Sequence, residues 1–131
     1  MEALGSLRVR DVMTPEPVSL PPSATVAEAV RVMAERNIGS VLVVGEDGRL
    51  LGIVSERDII RRVLAAGRRP EETTLEEIMT RDPVTVDPEA TVEEALRAMA
   101  RIRVRHLPVV DKSTGRLVGV VSIRDVEEAI L

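Results

Sequence analysis

Two aspartates, each three residues after a serine, carry the clearest chemistry in this sequence. The strings are Gly52–Ile53–Val54–Ser55–Glu56–Arg57–Asp58 and Gly119–Val120–Val121–Ser122–Ile123–Arg124–Asp125. An ionised aspartate is a bidentate acceptor for the vicinal diol of a ribose, as dinucleotide-binding folds show. The plainer reading is a helix cap, in which the hydroxyl accepts a free backbone N–H and the carboxylate suits the positive helix end. The two readings are compatible, because a helix N-terminus is also where phosphate binds. One copy alone reads first as a cap. Two copies in register keep the ligand reading open beside the cap.

Other reactive residues are scarce. His106 is the only histidine and Lys112 the only lysine, and there is no cysteine. No metal ligand set assembles around His106. Next to Arg105 it reads instead as a candidate phosphate contact. A nucleophile with its base is missing, and the pairs Glu76–Glu77 and Glu127–Glu128 fall on predicted helices as solvated charge. No catalytic residue, metal or cofactor is expected, so the chain reads as a binding protein rather than an enzyme. Arg101, Arg103 and Arg105 alternate as a nucleic-acid stripe would. A net charge of −4 and the lack of any Phe, Tyr or Trp favour a solvated helix end instead. The same balance argues against an anionic membrane as partner. Apolar runs such as Val41–Val44 are too short to span a bilayer. The N-terminus lacks the apolar core of a signal peptide, and the absence of cysteine suits a reducing compartment, so a cytoplasmic location is expected.

The elements that position these residues occur twice. Pairing Val12–Gly45 with Ile78–Asp111, and Gly48–Ile59 with Gly115–Val126, gives 23 identities in 46 positions. The chain is a tandem duplication, with one residue inserted before Gly115. Each copy opens with an extended, proline-bounded piece, Pro17–Leu20 or Pro83–Val86. A helix follows, opened by the capping box Thr25/Glu28 or Thr91/Glu94. Val26, Ala29, Val30 and Met33 form its apolar face, repeated as Val92, Ala95, Leu96 and Met99. Two nearly continuous apolar strands then flank a turn: Val41–Val44 with Leu50–Val54, and Leu107–Val110 with Leu117–Val121. A last helix starts at Ser55 or Ser122, the first running to about Gly67. Thr74 and Glu77 cap a short lead-in to Met79. With no aromatic residue the core is aliphatic and Met, the paired Met13/Met79 and Met33/Met99 serving as packing.

The element order, the duplicated Gly–apolar–apolar–Ser–x–x–Asp string and the stretch Ile102–Asp111 together resemble the CBS domain family, from about Val9 to Ala129. The resemblance implies an α/β (α+β) fold of two pseudo-symmetric βαββα units packed through their small sheets. The domains would be residues 7–67 and 75–131, joined by a linker at 68–74. It also implies two clefts that bind an adenine nucleotide and report it to a protein partner, whose identity is unknown. By position, the first cleft would use Ser55, Asp58 and Ile53, with Thr80 and Thr85 from the other half. The second would use Ser122, Asp125 and Val120, with Thr14 and Ser19 across from them. Arg105 and His106 fall where relatives hold phosphate. The matching Gly39 and Ser40 do not, so the second cleft is expected to be the tighter. S-adenosylmethionine or another adenosyl ligand, or an interaction scaffold with empty clefts, are the alternatives. Apolar positions on the last helices (Ile59, Ile60, Val63 and Leu64; Val126, Ala129 and Ile130) are expected to pair two copies into a homodimer.

Overall fold

Thr25 and Thr91 open the two long helices, as the capping boxes predict. Each hydroxyl accepts the N–H of the glutamate three residues on, at 3.1 Å. The computed structural model describes residues 5–131. In chain order the elements are α1 (Val9–Val12), β1 (Thr14–Pro15), β2 (Ser19–Leu20), α2 (Val26–Arg36), β3 (Ser40–Val44), β4 (Leu50–Ser55) and α3 (Glu56–Ile59). A π-helical turn, Ile60–Leu64, and a 3₁₀ turn, Pro70–Glu72, follow. Then come α4 (Leu75–Ile78), β5 (Thr80–Arg81), α5 (Val92–Ile102), β6 (His106–Val110), β7 (Leu117–Ser122) and α6 (Ile123–Ile130).

The chain forms two compact units, one of residues Val18–Pro83 and the other of the segment up to Pro17 with Val84–Leu131. In the central unit the sheet order is β2-β3-β4-β5, with β2 parallel to β3 and the other pairs antiparallel. In the terminal unit the order is β1-β7-β6, all antiparallel, and a parallel bridge from Val86 to Val109 stands where the central unit has β2. The lead-in of each repeat therefore pairs with the last strand of the other repeat. Both hairpins carry a register shift at the same place, Val43/Val44 and Val109/Val110. The inserted residue is absorbed in the second turn, which closes on Asp111 N–H to the Arg116 carbonyl at 2.9 Å.

Each unit has an aliphatic core. Val26, Ala29, Met33, Val41, Val43 and Val54 are buried in one; Val92, Ala95, Met99, Leu107, Val109 and Val121 in the other. Three expected surface residues belong to these cores: Ile59, Val63 and Val126 are 6%, 0% and 3% exposed. The stripe they continue faces the sheet of their own unit, and only Ile60, Leu64 and Ile130 remain exposed among the large apolar side chains of these helices. Val30, expected on the buried face of α2, is 42% exposed because it lies to one side of the stripe set by Val26, Ala29 and Met33.

Two features place the segment before each site. Gly52 and Gly119 let a strand approach closely: a Cβ on Gly52 would sit 2.7 Å from Met79 Sδ and from the Thr80 carbonyl oxygen. On Gly119 it would sit 2.8 Å from Met13 Sδ and 2.9 Å from the Thr14 carbonyl oxygen. The glycine of each string thus sets the approach of β5 or β1. In addition, Glu77 caps α4, accepting the Thr74 N–H at 2.7 Å and an Arg68 N–H at 2.7 Å. The Thr74 backbone bond, helped by Arg68, holds the Glu77 carboxyl below its usual range.

Candidate functional site

In the terminal unit, Ser122 ends β7 in an extended conformation and caps α6. Its hydroxyl accepts the Asp125 N–H at 3.0 Å, and its own N–H donates to Asp125 Oδ2 at 2.9 Å. Thr14, on β1, donates its hydroxyl to Asp125 Oδ1 at 3.2 Å. It arrives there because β1 pairs with β7, Thr14 opposite Val120. On the other side of β7, His106 lies opposite Ser122. The Arg105 carbonyl accepts the N–H of Ile123, the first residue of α6, at 2.9 Å. Ser122, Asp125, Val120, Thr14, Arg105 and His106 therefore converge at the start of one helix. Arg105 and His106 are both exposed.

The central unit repeats the frame with different charges. Ser55 accepts the Asp58 N–H at 3.2 Å, while its N–H and hydroxyl both donate to Asp58 Oδ2, at 2.9 and 3.0 Å. Thr80 donates to Asp58 Oδ1 at 3.4 Å, from β5, where it lies opposite Ile53. Ser40 lies opposite Ser55, and the Gly39 carbonyl accepts the Glu56 N–H at 3.0 Å. Where the terminal unit has Arg105 beside Ile123, the central unit has Gly39 beside Glu56. The central site thus has a carboxylate, Glu56, at its helix start and no guanidinium at Gly39, whereas the terminal site has Arg105 one residue before His106, the strand partner of Ser122. That disfavours an anion there.

Two placements differ from the sequence reading, those of Thr80 and Thr14. Thr80 was expected from the half opposite Asp58, and Thr14 from the half opposite Asp125. Each belongs to the same compact unit as its aspartate, because two-residue strands carry the lead-ins across. Thr85, matched to Asp58, belongs to the terminal unit, and Ser19, matched to Asp125, belongs to the central one. Ser19 pairs with Leu42 and lines a shallow groove with Pro21, Pro22 and Val44.

Sequence reasoning missed Arg62. Its Nε lies 3.9 Å from Asp58 Oδ1, and its terminal nitrogen donates to the carbonyls of Ile78 at 2.8 Å and Met79 at 3.3 Å. The i, i+4 spacing from Asp58 was a visible signal. The matching residue after Asp125 is Ala129. Among the described residues, no helix is long and apolar enough to cross a membrane, and no group of three or more His, Asp or Glu is placed to hold a metal.

The duplicated unit, with its helix capped by Ser–x–x–Asp after a buried hairpin, places the chain by class among paired regulatory modules. The chain belongs to the CBS domain family, whose model matches residues 9–65 and 75–131. It is 39% identical to an uncharacterized 17.7 kDa protein of Acidianus ambivalens over 124 residues, 95% of this chain and 73% of that one. It spans 60% and 53% of the length of relatives from Methanopyrus kandleri and Arabidopsis thaliana. Among solved structures, CBSX2 in complex with AMP superposes with a TM-score of 0.81 at 25% identity, over 95% of this chain and 96% of that one. The CBS domain pair of MJ0100, in complex with 5′-methylthioadenosine and S-adenosyl-L-methionine, gives 0.78 at 29% identity, over 94% of each.

Proposed function

We propose that the chain is a non-catalytic sensor that binds an adenine nucleotide at Asp125 and reports its occupancy to a protein partner. The observation that carries this is the state of the Asp125 carboxylate. Ser122 and Thr14 each give it one hydrogen bond. An ionised carboxylate has about four acceptor sites, so two stay open for a ribose diol. Arg105 brings a planar fork suited to phosphate, and His106 adds charge when protonated. The adenine would lie against aliphatic side chains such as Val120 and be read by backbone groups, since no aromatic ring exists. Complexes of similar proteins with AMP and with 5′-methylthioadenosine and S-adenosyl-L-methionine support an adenosyl ligand.

Calorimetry with AMP, ADP, ATP and S-adenosyl-L-methionine tests this. A preference for a phosphorylated ligand that Arg105→Ala removes supports the nucleotide. A preference for S-adenosyl-L-methionine that survives Arg105→Ala favours the sulfonium ligand. Silence from all four up to millimolar concentration leaves an interaction scaffold.

The same reading includes a second copy as partner. Val30, Ile60 and Leu64, 42%, 58% and 58% exposed, line an apolar groove of about 720 Å³ in the central unit with Met33, Ile38 and Ile59. A twofold pairing covers such a face with its own copy, the commonest closed arrangement.

A further inference from the structure

We infer that Arg62 closes the central unit's site, so that Asp58 is occupied by the protein's own chain. The inference rests on the proposed reading of Asp125 as a ribose acceptor. Asp58 accepts three hydrogen bonds, two from Ser55 and one from Thr80, against the two that Asp125 accepts. Of about four acceptor sites, one remains, and the Arg62 guanidinium stands 3.9 Å from the oxygen that would offer it. At the position matching Arg62 the terminal unit has Ala129, which offers Asp125 no such guanidinium. A diol approaching Asp58 therefore meets a neutralised carboxylate with room for one hydrogen bond.

Arg62 is held in this role from two directions. Its bonds to the Ile78 and Met79 carbonyls tie it to the chain just before Thr80, the other donor to Asp58. It also lies in the π-helical turn Ile60–Leu64, where the Ala65 N–H reaches back to the Ile60 carbonyl at 2.8 Å. The equivalent α6 stays α-helical from Ile123 to Ile130 and carries Ala129 at the matching position. A π-turn widens the helix and re-aims its side chains, and such turns recur at functional sites. The duplication has thus diverged into one open and one self-filled site.

Adenosine is the probe, because it offers the diol without a phosphate that Arg62 itself could attract. In calorimetry on the full chain, Asp125→Asn should leave only weak adenosine binding. Adding Arg62→Met should strengthen that binding about fivefold, the scale of a partly exposed ion pair. Arg62→Lys, which keeps the charge without the fork, should strengthen it less. The reciprocal change, Ala129→Arg in the otherwise native chain, should weaken adenosine binding about fivefold, and Ala129→Met should not. Residual binding unchanged by Arg62→Met, or binding indifferent to Ala129→Arg, in chains that melt as the parent does, overturns the inference. If the parent itself gives no response to adenosine or AMP, the reading of Asp125 fails and the inference falls with it.

Discussion

Thr14 and Asp125 stand 111 positions apart in the chain, yet the threonine hydroxyl donates to the aspartate at 3.2 Å. The contact exists because β1 leaves its own repeat and pairs with β7 of the other. It fixes the carboxylate's orientation from the side opposite Ser122. Thr14→Val should therefore loosen the carboxylate and weaken AMP binding about fivefold, a modest figure because Thr14 is exposed. Thr80→Val, at the self-filled site, should leave AMP affinity within twofold. Calorimetry on both variants decides; equal losses would sever Thr14 from the site.

Gly119 should tolerate no side chain. A Cβ there meets the Thr14 carbonyl oxygen at 2.9 Å, and that oxygen belongs to backbone, so β1 must move away from β7. Gly119→Ala should cost about 1–3 kcal/mol of stability, as overpacking does. It should also weaken AMP binding at least as much as Thr14→Val. Urea denaturation and calorimetry measure the two effects, and full affinity in a destabilised protein would show that β1 is not needed to place Thr14.

Glu77 makes stability depend on pH. Its carboxyl is held below the usual value by the Thr74 N–H and then by Arg68. A lowered folded value means the ionised form is the one the fold favours. The contribution is complete above the ordinary value of 4.5 and is lost as pH falls from there through the lowered one. Glu77→Gln should accordingly melt below the parent at pH 7 and at pH 5.5, by a similar margin, and the curves should converge near pH 3. A margin that persists in acid would assign the loss to packing instead.

The exposed groove of the central unit should seat a second copy. Light scattering at tens of micromolar should report twice the 14.3 kDa chain mass, and Ile60→Glu with Leu64→Glu should return it to the single mass. Neither side chain belongs to the buried core, so the variant should melt near the parent. A parent that is already monomeric ends this reading of the groove.

What the sequence disclosed was local. The capping boxes, the helix stripes and both Ser–x–x–Asp strings depend on neighbours three or four residues apart, and they formed as read except that Val30 lies outside its stripe and Glu94 does not return the bond to Thr91. The strands Thr14–Pro15 and Thr80–Arg81 were invisible because two residues carry no period. Without them nothing indicated that Thr14 and Thr80 share a unit with their aspartates. The burial of Ile59, Val63 and Val126 followed from the same cause: the helix after each string faces its own sheet. The inequality of the sites was half legible. Arg105 and His106 against Gly39 and Ser40 stood in the repeat alignment, whereas Glu56 and Arg62 gained meaning only once the Gly39 carbonyl and Asp58 were placed beside them.

The two aspartates should therefore answer mutation unequally. Both sit at the third position of a capped helix, so each substitution removes a similar cap, and the loss of stability should be similar, about 0.5–2 kcal/mol. Ligand affinity should not follow. Asp125 has acceptor capacity to spare, next to Arg105 and His106, and a hydrogen bond to a charged group is worth about 1.5–3 kcal/mol. Asp125→Ala should weaken AMP binding by about one to two orders of magnitude, and Arg105→Ala by a comparable amount. Asp58 is committed to Ser55, Thr80 and Arg62, with Glu56 at the helix start, so Asp58→Ala should change AMP affinity less than twofold. Comparing melting with calorimetry separates the cap from the acceptor. A larger affinity loss from Asp58→Ala than from Asp125→Ala would place the ligand in the central unit and reverse the assignment.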